Sequence, residues 1–170
     1  MEANAQNQSG ARKMLVAYFS WGGNTRTIAN MISQTVGGDI FEIKTVNMYP
    51  KEYRLVTDVA RQEQESNARP ALAASVNDMD SYDTVFLGYP NWWEAIPMAL
   101  CTFLESYDFT GKTIIPFCTH EGSALSQTVA AIKRLCPGAT VRDGLAIRGG
   151  KVDRAQIDVQ NWLRSLGTVK

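Results

Sequence analysis

The run Met14 to Phe19 is apolar at every position and lies between a polar stretch and the pair Gly22-Gly23. Such a run, with no polar alternation, predicts a strand buried on both faces. From Asn24 the apolar residues Ile28, Ala29, Ile32 and Val36 return at helical spacing until Gly37-Gly38 ends the pattern, which predicts a helix. Asp39 to Thr45 alternates as a strand, and Asp83 to Tyr89 and Lys112 to Cys118 are two further apolar runs. Helices are expected over Ala95 to Ser106, Gly122 to Leu135 and Val152 to Leu166, with a strand over Ala139 to Ile147 interrupted near Asp143-Gly144. Only Asn47 to Tyr82 departs from this rhythm, with a helix predicted around Lys51 to Ser66 and then a loop containing Pro70.

Alternating strands and helices imply a parallel sheet covered on both sides, because right-handed crossovers distribute successive helices over its two faces. The expected fold class is α/β: a doubly wound five-stranded parallel sheet in three layers, α/β/α. Ligands of such sheets bind beyond the carboxyl ends of the strands, where the strand order switches. The loops that begin at Ser20, Pro90 and Thr119 should therefore meet there.

Composition narrows the partners. Seventeen basic residues balance seventeen acidic ones, so no strong field is available to attract nucleic acid. No apolar run approaches the roughly 20 residues that cross a bilayer, and no membrane insertion is expected. Cys101, Cys118 and Cys136 form no C-x-x-C pair and have no histidine-rich neighbourhood, which argues against a disulfide framework or a metal site. Residues 1–13 are small and polar without periodicity and are expected to be a disordered tail or a processing remnant, with residues 14–170 as one domain. A cytoplasmic location is expected, or a periplasmic one if a signal preceded Met1.

The first loop, Ser20 to Thr27, joins a buried strand to a helix start and carries two glycines among hydroxyl and amide side chains. Free N–H groups and the positive end of the helix dipole favour an anion there, and a tight turn with an Asn24 cap is the plain alternative. Ser20 followed by Arg26 and Thr27 also has the spacing of a low-molecular-weight tyrosine phosphatase loop, but serine stands where that chemistry needs a low-pKa thiolate. The second loop, Gly88 to Pro97, presents Trp92 and Trp93, whose faces suit a flat ring; as neighbours they point in different directions, so one is expected to cap the core. The third, Cys118 to Ser126, carries His120, the chain's one histidine and a candidate proton donor. A receiver domain of the same fold is excluded, because the strand ends are Phe19-Ser20 and Tyr89-Pro90 rather than an acidic pocket.

With these loops in this order, Met14 to Leu166 resembles the flavodoxin superfamily, and the GYPNWW segment followed by MALCTFLE resembles a bacterial flavodoxin-like FMN-binding subfamily. The resemblance implies a flavodoxin-like fold and noncovalently bound FMN used for electron transfer with an unidentified donor and acceptor. It implies that Ser20, Gly22, Gly23, Asn24, Thr25, Arg26 and Thr27 hold the phosphate. Pro90, Asn91, Trp92 and Trp93 then contact the ribityl chain and ring, and Thr119, His120, Glu121 and Gly122 complete the site. Two features depart from the electron carriers, which are usually acidic and place a glycine beside the flavin: the net charge is zero, and no glycine lies between Gly88 and Trp93. Asn91 is then the residue expected to tolerate left-handed backbone geometry. An NAD(P)H-dependent quinone-type FMN reductase and a flavin-free phosphate-binding module stand as alternatives.

Overall fold

The computed structural model describes residues 13–169; the tail expected over residues 1–13 lies outside the described residues except for Lys13. That residue is tied down, its carbonyl accepting the Asp83 N–H and its ammonium reaching Ser81 Oγ at 3.0 Å.

The apolar runs become β1 (Met14–Tyr18), β3 (Thr84–Pro90) and β4 (Thr113–His120), the buried middle of a parallel sheet. β2 (Asp39–Glu42) joins one side, and the short β5 (Thr140–Val141) and β6 (Leu145–Arg148) share the other. The strand order is β2-β1-β3-β4-β5, with β6 also on β4. Successive side chains alternate faces, which gives two cores. Leu15, Ala17, Val85 and Leu87 pack with α3 (Met98–Glu105) and with Ile132 of α4 (Thr128–Leu135). Val16, Tyr18 and Phe86 pack with α1 (Asn24–Val36) and α5 (Gln156–Ser165). The doubly wound three-layer fold is as expected.

Close packing fixes one glycine. A Cβ on Gly88 would lie 2.2 Å from Cζ of Phe117 on the adjacent strand, so the central pairing of β3 with β4 admits no side chain there.

The interruption near Asp143-Gly144 has a cause on the neighbouring strand. Ile114 accepts the Arg142 N–H and Lys112 accepts the Thr140 N–H, so Lys112 and Ile114, and with them Pro116 two residues after Ile114, turn their backbone toward the fifth strand. Pro116 has no N–H to give. Pairing accordingly stops after Ile114↔Val141 and resumes at Phe117↔Leu145. The freed loop is held instead by α5, where Trp162 Nε1 donates to Asp143 O at 3.2 Å and Arg142 donates to Leu166 O at 3.0 Å.

Three helices begin later than their sequence pattern predicts. Residues 122–127 form turns with Ala124 and Ser126 left-handed, so α4 starts at Thr128. A 3-10 helix over Gly149–Arg154 precedes α5, and a tight turn ending at Ala95 delays α3 to Met98. The anomalous segment yields α2 (Tyr53–Glu65), of which only Val56 and Ala60 are buried.

Candidate functional site

The carboxyl ends of β1, β3 and β4 open into a cavity of about 720 Å³, within the size range of small-molecule sites. It is lined by Gly22, Asn24 and Thr25 from the first loop, by Pro90, Asn91, Trp92 and Trp93 from the second, and by Thr119, His120 and Glu121 from the third. These ten expected residues are brought together. Ser20, Gly23, Arg26, Thr27 and Gly122 do not line it.

Those five shape the site from behind. Gly23 adopts φ 98° at the start of α1, a left-handed geometry that glycine takes without strain. Ser20 Oγ accepts the N–H groups of Gly23 and Arg26 at 3.2 and 3.3 Å, and Thr27 Oγ1 donates to Gly23 O. The Arg26 side chain turns away and pairs with Glu42 at 2.7 Å. Burial works against the Glu42 carboxylate, but hydrogen bonds from Arg26 and Tyr18 outweigh it and hold its pKa low. What remains free is the helix start itself: among the described residues nothing accepts the N–H of Asn24 or Thr25. Two unsatisfied donors at the positive end of a helix form an anion-binding arrangement.

The loops are tied to each other. The buried hydroxyls of Thr25 and Thr119 hydrogen-bond at 2.9 Å, and the Asn91 N–H donates to Thr119 O at 2.9 Å. Asn91 Nδ2 donates to Ala124 O at 2.7 Å and to Ser126 Oγ at 3.3 Å, while its Oδ1 is buried without a partner.

The adjacent tryptophans diverge as expected. Trp92 packs edge-on against Phe19 and Tyr49, with centroids 5.3 Å away in each case. Trp93 stands outward, half exposed, its Nε1 donating to Thr57 O at 2.9 Å and its ring lying under the Arg61 guanidinium. Between Trp92 and Ala95 two backbone hydrogen bonds close a two-residue turn, with φ of 53° at Trp93 and 60° at Glu94. Left-handed geometry therefore falls on Trp93 and Glu94, not on Asn91, because this turn requires positive φ at both central positions.

His120 Nδ1 accepts the Gly122 N–H at 2.9 Å, which puts the proton of the neutral ring on Nε2. Burial, and then the nearby Arg148 charge, push its pKa below the usual histidine value, against a smaller upward pull from Glu121. The imidazole is thus a neutral N–H donor at neutral pH. Burial also pushes the Cys118 thiol up to about 12, which leaves it unreactive.

Six further residues line the cavity: Trp21, Tyr53, Val56, Thr57, Ala60 and Ser123. Trp21 sits inside the first loop, and its aromatic side chain was a usable signal. Its Nε1 donates to Pro50 O at 2.8 Å, and Tyr53 meets its ring edge-on. The four α2 residues carried no local sign, since only the fold brings that helix over the strand ends.

Comparison with known proteins agrees with this architecture. No curated protein matches the chain. A candidate flavoprotein from Bacteroides eggerthii is 30% identical over 94% of this chain and 100% of its own, with a TM-score of 0.79. A second, from Bacteroides uniformis, is 31% identical over 91% and 99%, with a TM-score of 0.78. A flavoprotein from Lactobacillus acidophilus, solved in complex with FMN, has the same fold at 23% identity over 85% and 98%, with a TM-score of 0.71. The sequence model described as flavodoxin matches residues 13–166, nearly all of the described chain. Fold, loop order and sequence thus converge, and the chain belongs to the flavodoxin family.

Proposed function

We propose that this protein binds FMN noncovalently in the cavity and acts as a redox protein through it. The observation that carries the reading is that free N–H groups at a helix start and aromatic walls meet in one cavity of suitable size. The residues fit the cofactor. The Asn24 and Thr25 N–H groups would receive a terminal phosphate, and Trp21, Tyr53, Trp92 and Trp93 offer aromatic surface to a flat ring. Thr119, His120, Glu121 and Ser123 supply polar atoms for its pyrimidine edge. The orphaned Asn91 oxygen is an acceptor short of a donor, a deficit that a ligand N–H can fill. Bound flavin supplies reversible uptake of one or two electrons. The chain's own part is to orient the ring, to screen it from water and to present the Nε2–H of His120 as a donor. The FMN in the Lactobacillus relative supports the same choice of ligand.

A second reading, reduction of a flat uncharged acceptor such as a quinone with electrons from NAD(P)H, is favoured by the cavity mouth. Tyr53 and Trp93, which line it, are large exposed apolar residues, 66% and 49% exposed. Glu121 is the one carboxylate among the lining residues, and a chain of zero net charge has little with which to steer a charged protein partner.

Titration of the purified apoprotein with FMN, followed by absorbance and by mass spectrometry of the released cofactor, tests the first reading. Stoichiometric FMN is expected. A protein that stays colourless, or that retains FAD as its main cofactor, would overturn it. FMN-dependent oxidation of NADPH or NADH by a quinone tests the second.

A further inference from the structure

A second pocket, of about 420 Å³, lies on the other side of Trp92's aromatic neighbour and is lined by Met48, Tyr49 and Glu63 among others. Tyr49 connects the two. Its ring meets that of Trp92 at 5.3 Å between centroids and 74° between planes, and Phe19 packs against both. At its far end the phenol donates to Glu63 Oε1 at 2.7 Å, a well-formed hydrogen bond. A redox-active indole in the wall of the main cavity is thus in contact with a redox-active phenol, and the phenol holds a base at hydrogen-bond distance.

We propose that Trp92, Tyr49 and Glu63 form a proton-coupled electron relay that carries an oxidising equivalent from the main cavity to the second pocket. The step balances as follows. With FMN bound as proposed above and excited by light, Trp92 would give up one electron to it. Tyr49 returns one electron to the indole, and its phenolic proton passes to Glu63. The flavin has then gained one electron, Trp92 is restored, Tyr49 is a neutral phenoxyl radical and Glu63 a neutral acid.

The carboxylate is the telling component. A glutamine would accept the same hydrogen bond without the cost of half-burying a charge, whereas only the carboxylate can take a proton from an oxidised phenol. The base lies within the reach that proton transfer needs. Burial raises the pKa of Glu63, against the opposing pull of the Tyr49 hydrogen bond, and so strengthens it as a proton acceptor. Burial also raises the pKa of Tyr49, which keeps the phenol protonated until it is oxidised.

The test is illumination of the FMN-loaded protein with ferricyanide as terminal electron acceptor, read by EPR of the radicals formed. A parallel arm uses the apoprotein and photo-oxidised ruthenium tris-bipyridine, which needs no flavin. Native protein should show a tyrosyl radical that Tyr49→Phe abolishes. Glu63→Gln, which keeps an acceptor but removes the base, should lower the tyrosyl yield by at least about tenfold, a threshold set below the roughly hundredfold minimum that a general base contributes, and leave oxidation on tryptophan. A smaller loss in Glu63→Gln, a tyrosyl signal that survives Tyr49→Phe, or none in native protein in the ruthenium arm overturns the relay. Failure to take up FMN overturns the cofactor reading alone, since the ruthenium arm still decides the relay.

Discussion

Replacing Thr25 by Val removes one hydroxyl at almost constant shape and tests whether the first and third loops are joined through the core rather than through a ligand. Thr25 and Thr119 are 1% and 4% exposed, so water has little access to either residue. Loss of the 2.9 Å hydrogen bond also strands the Thr119 hydroxyl. A net hydrogen bond of about 1 kcal/mol and a buried, unpaired hydroxyl together come to about 2 kcal/mol. For a chain of this length that lowers Tm by about 4–8 °C. Urea unfolding of the apoprotein, with the slope unchanged, measures it directly. The double variant Thr25→Val with Thr119→Val removes both partners and should recover about 1 kcal/mol of the loss, because two apolar groups in contact leave nothing unpaired. If the single variant matched native stability, or the double fell further than the single, the loops would not be coupled by this contact.

Glu94 is exposed and left-handed at the second position of its turn. Relief of that strain, less the entropy glycine adds to the unfolded chain, should make Glu94→Gly more stable by about 0.5–1 kcal/mol in thermal denaturation; a loss of stability would refute the turn assignment. His120 has its pKa lowered by burial and by Arg148. The unfolded chain therefore binds a proton before the native state does. The stability held by the neutral ring is full above the ordinary histidine pKa and is lost as pH falls through the lowered native value. Arg148→Gln should raise the His120 midpoint in an NMR titration and reduce that acid-side loss, and an unmoved midpoint would clear Arg148 of any part in it.

How far the chain could be read in advance depended on where its information is stored. β1, β3 and β4 are legible because burial on both faces demands unbroken apolar runs, and the break in the fifth strand showed in Asp143-Gly144. Its cause did not, because Pro116 acts across the sheet rather than along the chain. The loop residues of the site were legible because strand ends in this fold must converge. Trp21, between Ser20 and Gly22, carries its signal in an aromatic ring within a loop of small polar residues. Tyr53, Val56, Thr57 and Ala60 were out of reach, since α2 shows an amphipathic pattern but nothing that says which space it overlooks. The late start of α4 reflects Ala124 and Ser126, left-handed residues inside the stretch whose pattern predicts helix, and that of α3 the turn over Trp93 and Glu94 that closes at Ala95.

The missing N–H at Pro116 also bears on how the molecule behaves in company. An open edge of a parallel sheet is a template on which another chain can lay a strand and from which aggregation can spread. Here that edge consists of Thr140–Val141 and Leu145–Arg148, two short pieces separated by a loop pinned to α5. An incoming strand finds no continuous ladder of donors and acceptors to extend. One proline inside the sheet thereby protects its rim.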